Sequence, residues 1–286
     1  MINQSVAVLL TCYNRKKITL SCLDCLYKQI GTDDIDMTIF LVDDGSKDGT
    51  SDAVRSQYPK VKLIAGDGNL FWAGGMRLAW NTALNSGSFD YFWLVNDDTY
   101  IYEDTLQNLM KADEYSVKEF GKHGIYVGST LDPITKEHSY GGQILNSMDN
   151  YASKIIYPNG KYQSCHFCNA NILMVTSSVT DSLGVFCGRY THSIADYDYS
   201  MQAYLAGFPV LVLPAYCGEC KNDHISQSGK LKNRIQYLYS PKGFAYKEFL
   251  FFVHKFFPSK YFNTVLTLWF RTFFPALWNK YKASNK

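Results

Sequence analysis

At 286 residues, with 47% hydrophobic and 19% charged side chains, the chain suits one large α/β domain with an appendage and excludes a disordered protein. The net charge of +2 hides an asymmetry: residues 229–286 hold eleven Lys or Arg and one acid, Glu248, leaving 17 bases and 25 acids in residues 1–228. An acidic body argues against a nucleic-acid partner and for a metal-using site, while a basic tail suits an anionic surface.

Residues 1–5 are short and polar, and the apolar run 6–10 is too short for a signal segment, so the N-terminus reads as cytoplasmic. Residues 6–10 read as a buried strand, and 16–29 follow with helical spacing (Ile18, Leu20, Leu23, Leu26). A second strand, 37–42, ends in Asp43 and Asp44, and a helix covers 48–57. Residues 61–65 are a third strand, 74–85 a helix, and 91–95 a fourth strand ending in Asn96, Asp97 and Asp98. Strand and helix in strict alternation predict a mostly parallel sheet flanked by helices. Ligands of such sheets bind outside the carboxyl ends of the strands, where the polar signals sit.

Further on, 125–131 and 139–144 read as strands, 177–183 and 196–206 as helices, and 210–213 as one more strand. The tail from 244 to 281 holds fifteen aromatic residues interleaved with Lys247, Lys255, Lys260, Arg271 and Lys280, and Pro258 and Pro275 divide it into short helices. No uncharged stretch reaches the length of a membrane span. Basic, aromatic amphipathic helices predict a membrane interface as the resting place; packing on the domain or on another copy of the chain is the alternative. Cys22/Cys25, Cys165/Cys168 and Cys217/Cys220 have zinc-like spacing, but their placement on a helix and beside apolar strands reads better as buried thiols.

Five elements carry candidate chemistry. Asp97 and Asp98 are hard oxygen ligands at a strand end, suited to Mn²⁺ or Mg²⁺ beside a diphosphate. Asp43 and Asp44 can accept bonds from a ribose hydroxyl or a base N–H, or the run can simply be an N-cap cluster with Asp48 or Ser46 capping the following helix. In residues 68–77, Gly74 and Gly75 at a helix start allow close phosphate approach, with Arg77 as a partner. Asp196, at the start of a helix, is a candidate general base, and His224 a candidate metal ligand on a loop.

Together, Thr11, Cys12, Tyr13 and Asn14; Val42 through Ser46; Asn69 through Gly75; Asn96, Asp97 and Asp98; Asp196 through Asp198; and His224 resemble the inverting nucleotide-sugar glycosyltransferases of family 2, over about residues 5–240. The stretch with Trp72, Gly74 and Gly75 looks most like the branch of bacterial rhamnosyl- and galactofuranosyltransferases. The resemblance implies a GT-A fold over 1–240, with a nucleotide-binding half (1–100) and an acceptor and catalytic half (101–240), followed by the tail, 241–286. It implies that Thr11, Tyr13 and Asp44 hold the nucleoside, that Asp98 ligates the metal with Asp97 nearby and His224 adding to it, and that Asp196 is the base. The donor is then a UDP- or dTDP-sugar and the acceptor a glycan or lipid-linked glycan, at the inner face of a cell membrane, in bacterial surface polysaccharide synthesis. A homo-oligomer through the tail is a further possible partner. Three positions depart from the pattern: Asn96 replaces the first acid of a D-x-D triplet, Ala195 stands where many members carry Glu, and Ser240-Pro241 where many carry Arg-Asn. The competing readings are a membrane-associated sugar-nucleotide scaffold without activity and a sugar-nucleotide pyrophosphorylase. The latter lacks its Gly-rich loop after the first strand.

Overall fold

The computed structural model describes residues 4–222 and 229–284. The first half runs β1 (Gln4–Cys12), α1 (Lys16–Tyr27), β2 (Ile35–Asp43), α2 (Thr50–Gln57), β3 (Lys62–Ala65), α3 (Phe71–Ser86) and β4 (Tyr91–Val95). It continues with β5 (Tyr100–Ile101), α4 (Thr105–Phe120), β6 (Ile125–Leu131), β7 (His138–Tyr140), β8 (Gly142–Ser147), β9 (Asn150–Ile155), β10 (Gln163–Ser164), β11 (Phe167–Cys168), β12 (Ile172–Thr176), α5 (Ser177–Leu183), α6 (Ala195–Leu205) and β13 (Val210–Glu219). Four helices close the chain: α7 (Leu231–Tyr239), α8 (Tyr246–Phe256), α9 (Tyr261–Phe273) and α10 (Pro275–Ser284).

Among the described residues, ten strands form one sheet whose main path is β10-β13-β6-β12-β4-β1-β2-β3. β3, β2, β1 and β4 run parallel, β12 is antiparallel to both β4 and β6, and β13 returns parallel to β6. The alternation predicted for the first half is therefore present, with one reversed strand at the centre. β1 leads to β2 on one side and pairs with β4 on the other. This reversal of strand order opens a crevice at the carboxyl ends of β1 and β4.

Period-two side-chain alternation splits the core into two layers. Ala7, Leu9, Phe40, Val42, Phe92 and Leu94 face one layer; Val6, Val8, Leu10, Ile39, Leu41, Trp93 and Val95 face the other. α3 covers the first with Ala73, Met76, Ala79, Trp80 and Ala83, a helical stripe of mostly small residues that brings it close to the sheet. α1 covers the second with Cys22, Leu23, Cys25 and Leu26. Seven of the eight cysteines are buried thiols, with Cys187 half-buried.

The second half is more fragmented than its sequence suggests. The expected strand 139–144 divides at Gly141, where a side chain would overlap Ser129. β8 turns away to form a small three-stranded sheet with β9 and β11.

The tail also differs from a free amphipathic segment. Phe252 and Val253 of α8, and Phe257 just after it, belong to the main core, so α8 packs on the domain. Its polar side chains secure it: Lys255 Nζ donates to both oxygens of the fully buried Asp198 at 2.8 and 3.0 Å, and Glu248 accepts from the Thr191 amide and hydroxyl. α9 packs Leu268 against Leu238 and Leu250. No described helix is long and apolar enough to cross a membrane.

Candidate active site

The end of β1 and the loop after β2 are stitched together. The Asn14 amide donates to Ser46 Oγ and the Lys47 amide to Asn14 Oδ1, both at 2.7 Å. Asp43, expected to contact a nucleoside, instead accepts from the Ser46 amide at 2.9 Å and from the Ser51 hydroxyl. Both bonds shape the turn leading to α2. Asp44 is 4% exposed and acts as the hub of the loop 66–71. Its Oδ1 accepts the Gly68 amide at 2.8 Å and its Oδ2 the Phe71 amide at 3.1 Å. It still borders the cleft beside Thr11 and Tyr13, and each oxygen keeps a second lone pair.

At the start of α3, expected to cradle a phosphate, the first amides have partners within the protein. α3 begins three residues earlier than its sequence suggests, and its first three amides are all bonded. Phe71 donates to Asp44, Trp72 to His192 Nδ1 at 3.4 Å, and Ala73 to the Thr191 carbonyl at 3.1 Å. Those three amides are thereby engaged within the protein. Gly75 is a packing position: a side chain there would overlap the Thr11 hydroxyl, with Thr11 Cβ 2.7 Å away. Gly74 abuts Leu70. The Arg77 guanidinium, assigned to a phosphate from the sequence, donates to the Cys187 and Tyr190 carbonyls at 3.1 and 2.7 Å. It holds the loop before α6 against α3.

The acid pair lies at the crevice after β4. Asp97 is 5% exposed; its Oδ2 accepts the Thr19 hydroxyl at 2.9 Å. Arg15, in the N-cap position of α1, sends Nη1 to Asp98 Oδ2 at 2.7 Å and to Asp97 Oδ1 at 3.3 Å. Burial, reinforced by the neighbouring Asp98 charge, pushes Asp97 up to about 6 against the pull of Arg15. Asp98 is more open and faces the cleft. Asn96 Oδ1 accepts the Trp72 indole N–H at 2.7 Å, which fixes that ring at the cleft wall.

Asp196 enters from the other side, in the first turn of α6, where Ile194 in the left-handed region (φ 71°) turns the chain into the helix. Its carboxylate accepts the Ala170 amide at 3.1 Å and the Tyr197 amide at 3.0 Å. Burial raises it to about 6, and these amides offset part of that rise. Asp97, Asp98 and Asp196 line one cleft of about 460 Å³, which adjoins a second hollow of about 500 Å³ bordered by Thr11, Tyr13 and Asp44. Arg15, Trp72, Asp97, His192 and Lys242 border both. The combined size suits a nucleotide with an attached sugar.

Several of these residues carry no motif signal. His192 is driven down to about 4 by burial and by the nearby Lys242 and Arg15, so its ring is neutral and accepts at Nδ1. Lys242 Nζ lies 6.0 Å from the ring centre of Tyr13, closing the hollow from α7's end of the chain. Its only sequence clue is the departure at Ser240-Pro241. Asn169 and Tyr197 flank Asp196 and meet at 3.4 Å, placing an amide and a phenol beside it. His224 lies outside the described residues. Among the described residues, no group of three or more His, Cys, Asp or Glu is arranged to hold a metal.

Residues 7–176 match the family model described as Glycosyl transferase family 2. No curated protein matches the chain. Among solved structures, the mannosyltransferase PcManGT from Pyrobaculum calidifontis, in complex with GDP-Man and Mn²⁺, aligns with a TM-score of 0.52 and 18% identity over 81% of this chain. TarS 1-349 from S. aureus in complex with UDP-GlcNAc aligns with a TM-score of 0.55 and 16% identity, over 83% of this chain and 67% of that one. TarS 1-349 without a named ligand gives 0.52 and 19% over 76% of this chain. The chain spans 60% of the mannosyltransferase and of that last TarS structure. At these identities the likeness is one of fold.

Proposed function

The chain belongs to glycosyl transferase family 2, and on that premise we propose that it transfers a sugar, with inversion, from a nucleoside-diphosphate sugar to a hydroxyl of a glycan or lipid-linked glycan. One observation carries the reading: Asp196 and the Asp97–Asp98 pair, nearly a hundred residues apart in sequence, line one cleft at the carboxyl ends of β1 and β4. The nucleoside lies in the hollow beside Thr11, Tyr13 and Asp44, and the sugar reaches across Trp72 toward Asp196. The acceptor oxygen bonds to the anomeric carbon as the bond from that carbon to the diphosphate oxygen breaks. Asp196 takes the hydroxyl proton, and the nucleoside diphosphate leaves. A base with a pKa near 6 is ionised at neutral pH yet still basic enough to accept that proton.

The acid pair fits a divalent cation. Asp97 Oδ1 and Asp98 Oδ2 converge on a single point of positive charge, Arg15 Nη1, and both are hard oxygen ligands. Asp98 and Asp97 would hold Mn²⁺ or Mg²⁺ there, the ion supplying charge neutralisation to the leaving diphosphate. The GDP-Man, Mn²⁺ and UDP-GlcNAc of the solved structures support a UDP- or related nucleotide donor and a metal. The narrower placing in the rhamnosyl- and galactofuranosyltransferase branch rests on residues 69–75, whose glycines serve packing here. Incubation with a panel of UDP-, dTDP- and GDP-sugars and Mn²⁺ should release one nucleoside diphosphate, and EDTA should stop the release. Equal release in EDTA removes the metal from the reading, and silence across the panel favours the scaffold.

The outer face of α9 supports the membrane surface as a partner. Phe262, Leu266, Phe270 and Phe273 are 79, 70, 42 and 44% exposed, and at about 100° per residue they fall within about 80° of one another. The opposite face buries Thr264, Leu268 and Thr272 on the protein. No acid follows Glu248 while six bases do, which favours an anionic lipid surface over a second copy carrying the same charge. Anionic vesicles should retain the protein and Leu266→Glu with Phe262→Glu should release it. Dimers with no vesicle retention would put a second copy on this face instead.

A further inference from the structure

Arg15 stands where two demands on the cleft meet. It lies in the short link between β1 and α1 and occupies the N-cap position of α1 without capping it by a side-chain bond; its guanidinium bonds to the acid pair. One nitrogen bonds to both carboxylates, at 2.7 and 3.3 Å. Asp97 and Asp98 are neighbours in the chain, one nearly buried, and without a cation between them their charges repel. The side chain itself remains 43% exposed, on the shared border of the nucleoside hollow and the catalytic cleft, with Lys242 on that border too. A diphosphate joining a nucleoside in one to a sugar in the other crosses this border.

A guanidinium binds phosphate oxygens as readily as carboxylates. A divalent cation arriving at Asp97 and Asp98 removes its carboxylates and repels it, and a diphosphate arriving with that cation offers it replacement oxygens. We propose that Arg15 is a tethered counter-ion, which holds the acid pair in the absence of donor and passes to the donor diphosphate when metal and donor bind together. This rests on the metal reading above. It makes metal and nucleotide binding mutually reinforcing: each displaces or rehouses the same side chain, so the cation binds weakly alone and tightly with nucleotide. The coupling also keeps the empty site from trapping free metal in an unproductive state.

The test is Mn²⁺ binding, read by the electron-spin signal of free Mn²⁺, on the full chain without nucleotide and with UDP, dTDP and GDP in turn. Wild type should bind Mn²⁺ weakly alone and on the order of tenfold more tightly with its nucleotide. Arg15→Gln should bind Mn²⁺ alone about tenfold more tightly than wild type, and gain little further from nucleotide. A thermal melt of the variant confirms folding; the side chain is 43% exposed at the cleft border. Nucleotide-free Mn²⁺ affinity of Arg15→Gln equal to or below wild type overturns the proposal, as does a wild type whose Mn²⁺ affinity no nucleotide changes. Those outcomes leave the metal reading standing provided wild type binds Mn²⁺. A wild type that binds no Mn²⁺ under any condition removes the metal reading, and this proposal with it.

Discussion

Lys255→Met tests whether α8 is bound to the domain. Lys255 Nζ sits 2.8 and 3.0 Å from the two oxygens of Asp198, whose side chain is 1% exposed. Asp198 also accepts from the Tyr190 hydroxyl and the Gln202 amide, so removing the ammonium leaves a buried carboxylate with neutral donors alone. Removing one partner of a buried pair costs about 3–5 kcal/mol. Lys255 is itself 29% exposed and the neutral donors remain, which brings the expectation to about 2–4 kcal/mol. Against a total stability of roughly 5–15 kcal/mol that is a large fraction. Urea unfolding should show a lowered midpoint with an unchanged slope. Lys255→Met combined with Asp198→Asn should recover at least about 1 kcal/mol relative to simple addition, because no uncompensated charge remains. A single-variant loss below about 0.5 kcal/mol, or strict additivity, would refute the anchoring of α8 through this pair.

Three further substitutions separate packing from chemistry. Gly75→Ala should lose about 1–3 kcal/mol in urea melts because the new methyl overlaps Thr11, while Gly74→Ala should change stability by less than about 1 kcal/mol. Equal, stability-neutral effects of both on donor binding would restore the phosphate-cradle reading. Asp97→Asn should stabilise the fold at pH 8. The folded Asp97 is raised to about 6, so the native state binds its proton more tightly than the unfolded chain, and stability falls as pH rises from about 4 to about 6. That penalty, at most about 3 kcal/mol, is fully present above pH 6 and absent in Asn, so the variant and wild type should converge below pH 4. An Asp97→Asn protein less stable than wild type at pH 8 would contradict the burial argument.

The first half of the fold was legible because each strand is a dense apolar run whose alternate residues face two core layers, and each helix carries one apolar stripe. Ile125–Leu131, Tyr91–Val95 and Ser177–Leu183 have the predicted bounds. β10 and β11 are two residues long and exist through long-range pairing with β13 and β8, which no local pattern encodes. The start of α3 was misplaced because its caps come from Asp44, His192 and Thr191, remote in sequence. The partners that Arg77 and the paired glycines have in the fold are equally remote from any local pattern: the Cys187 and Tyr190 carbonyls for Arg77, and Thr11 for Gly75. The tail looked free because its basic residues have only Glu248 as an acid nearby in sequence; Lys255 finds Asp198 across 57 residues. At the site, Asp97, Asp98 and Asp196 stood out as acids at element ends, whereas Arg15, His192 and Lys242 gain their place through contacts remote in sequence and the cleft border they share.

The most direct test of the account is Asp196→Asn, assayed for nucleoside-diphosphate release from the donor the wild type uses, across pH 5–9. Wild-type turnover should rise with pH through about 6 and level off, because the reaction needs the ionised carboxylate. The variant should lose about 10²–10⁴-fold in turnover together with that pH rise, while binding the nucleotide within about twofold of wild type. A variant that keeps turnover within about threefold of wild type, with the same pH rise, would show that Asp196 is not the base.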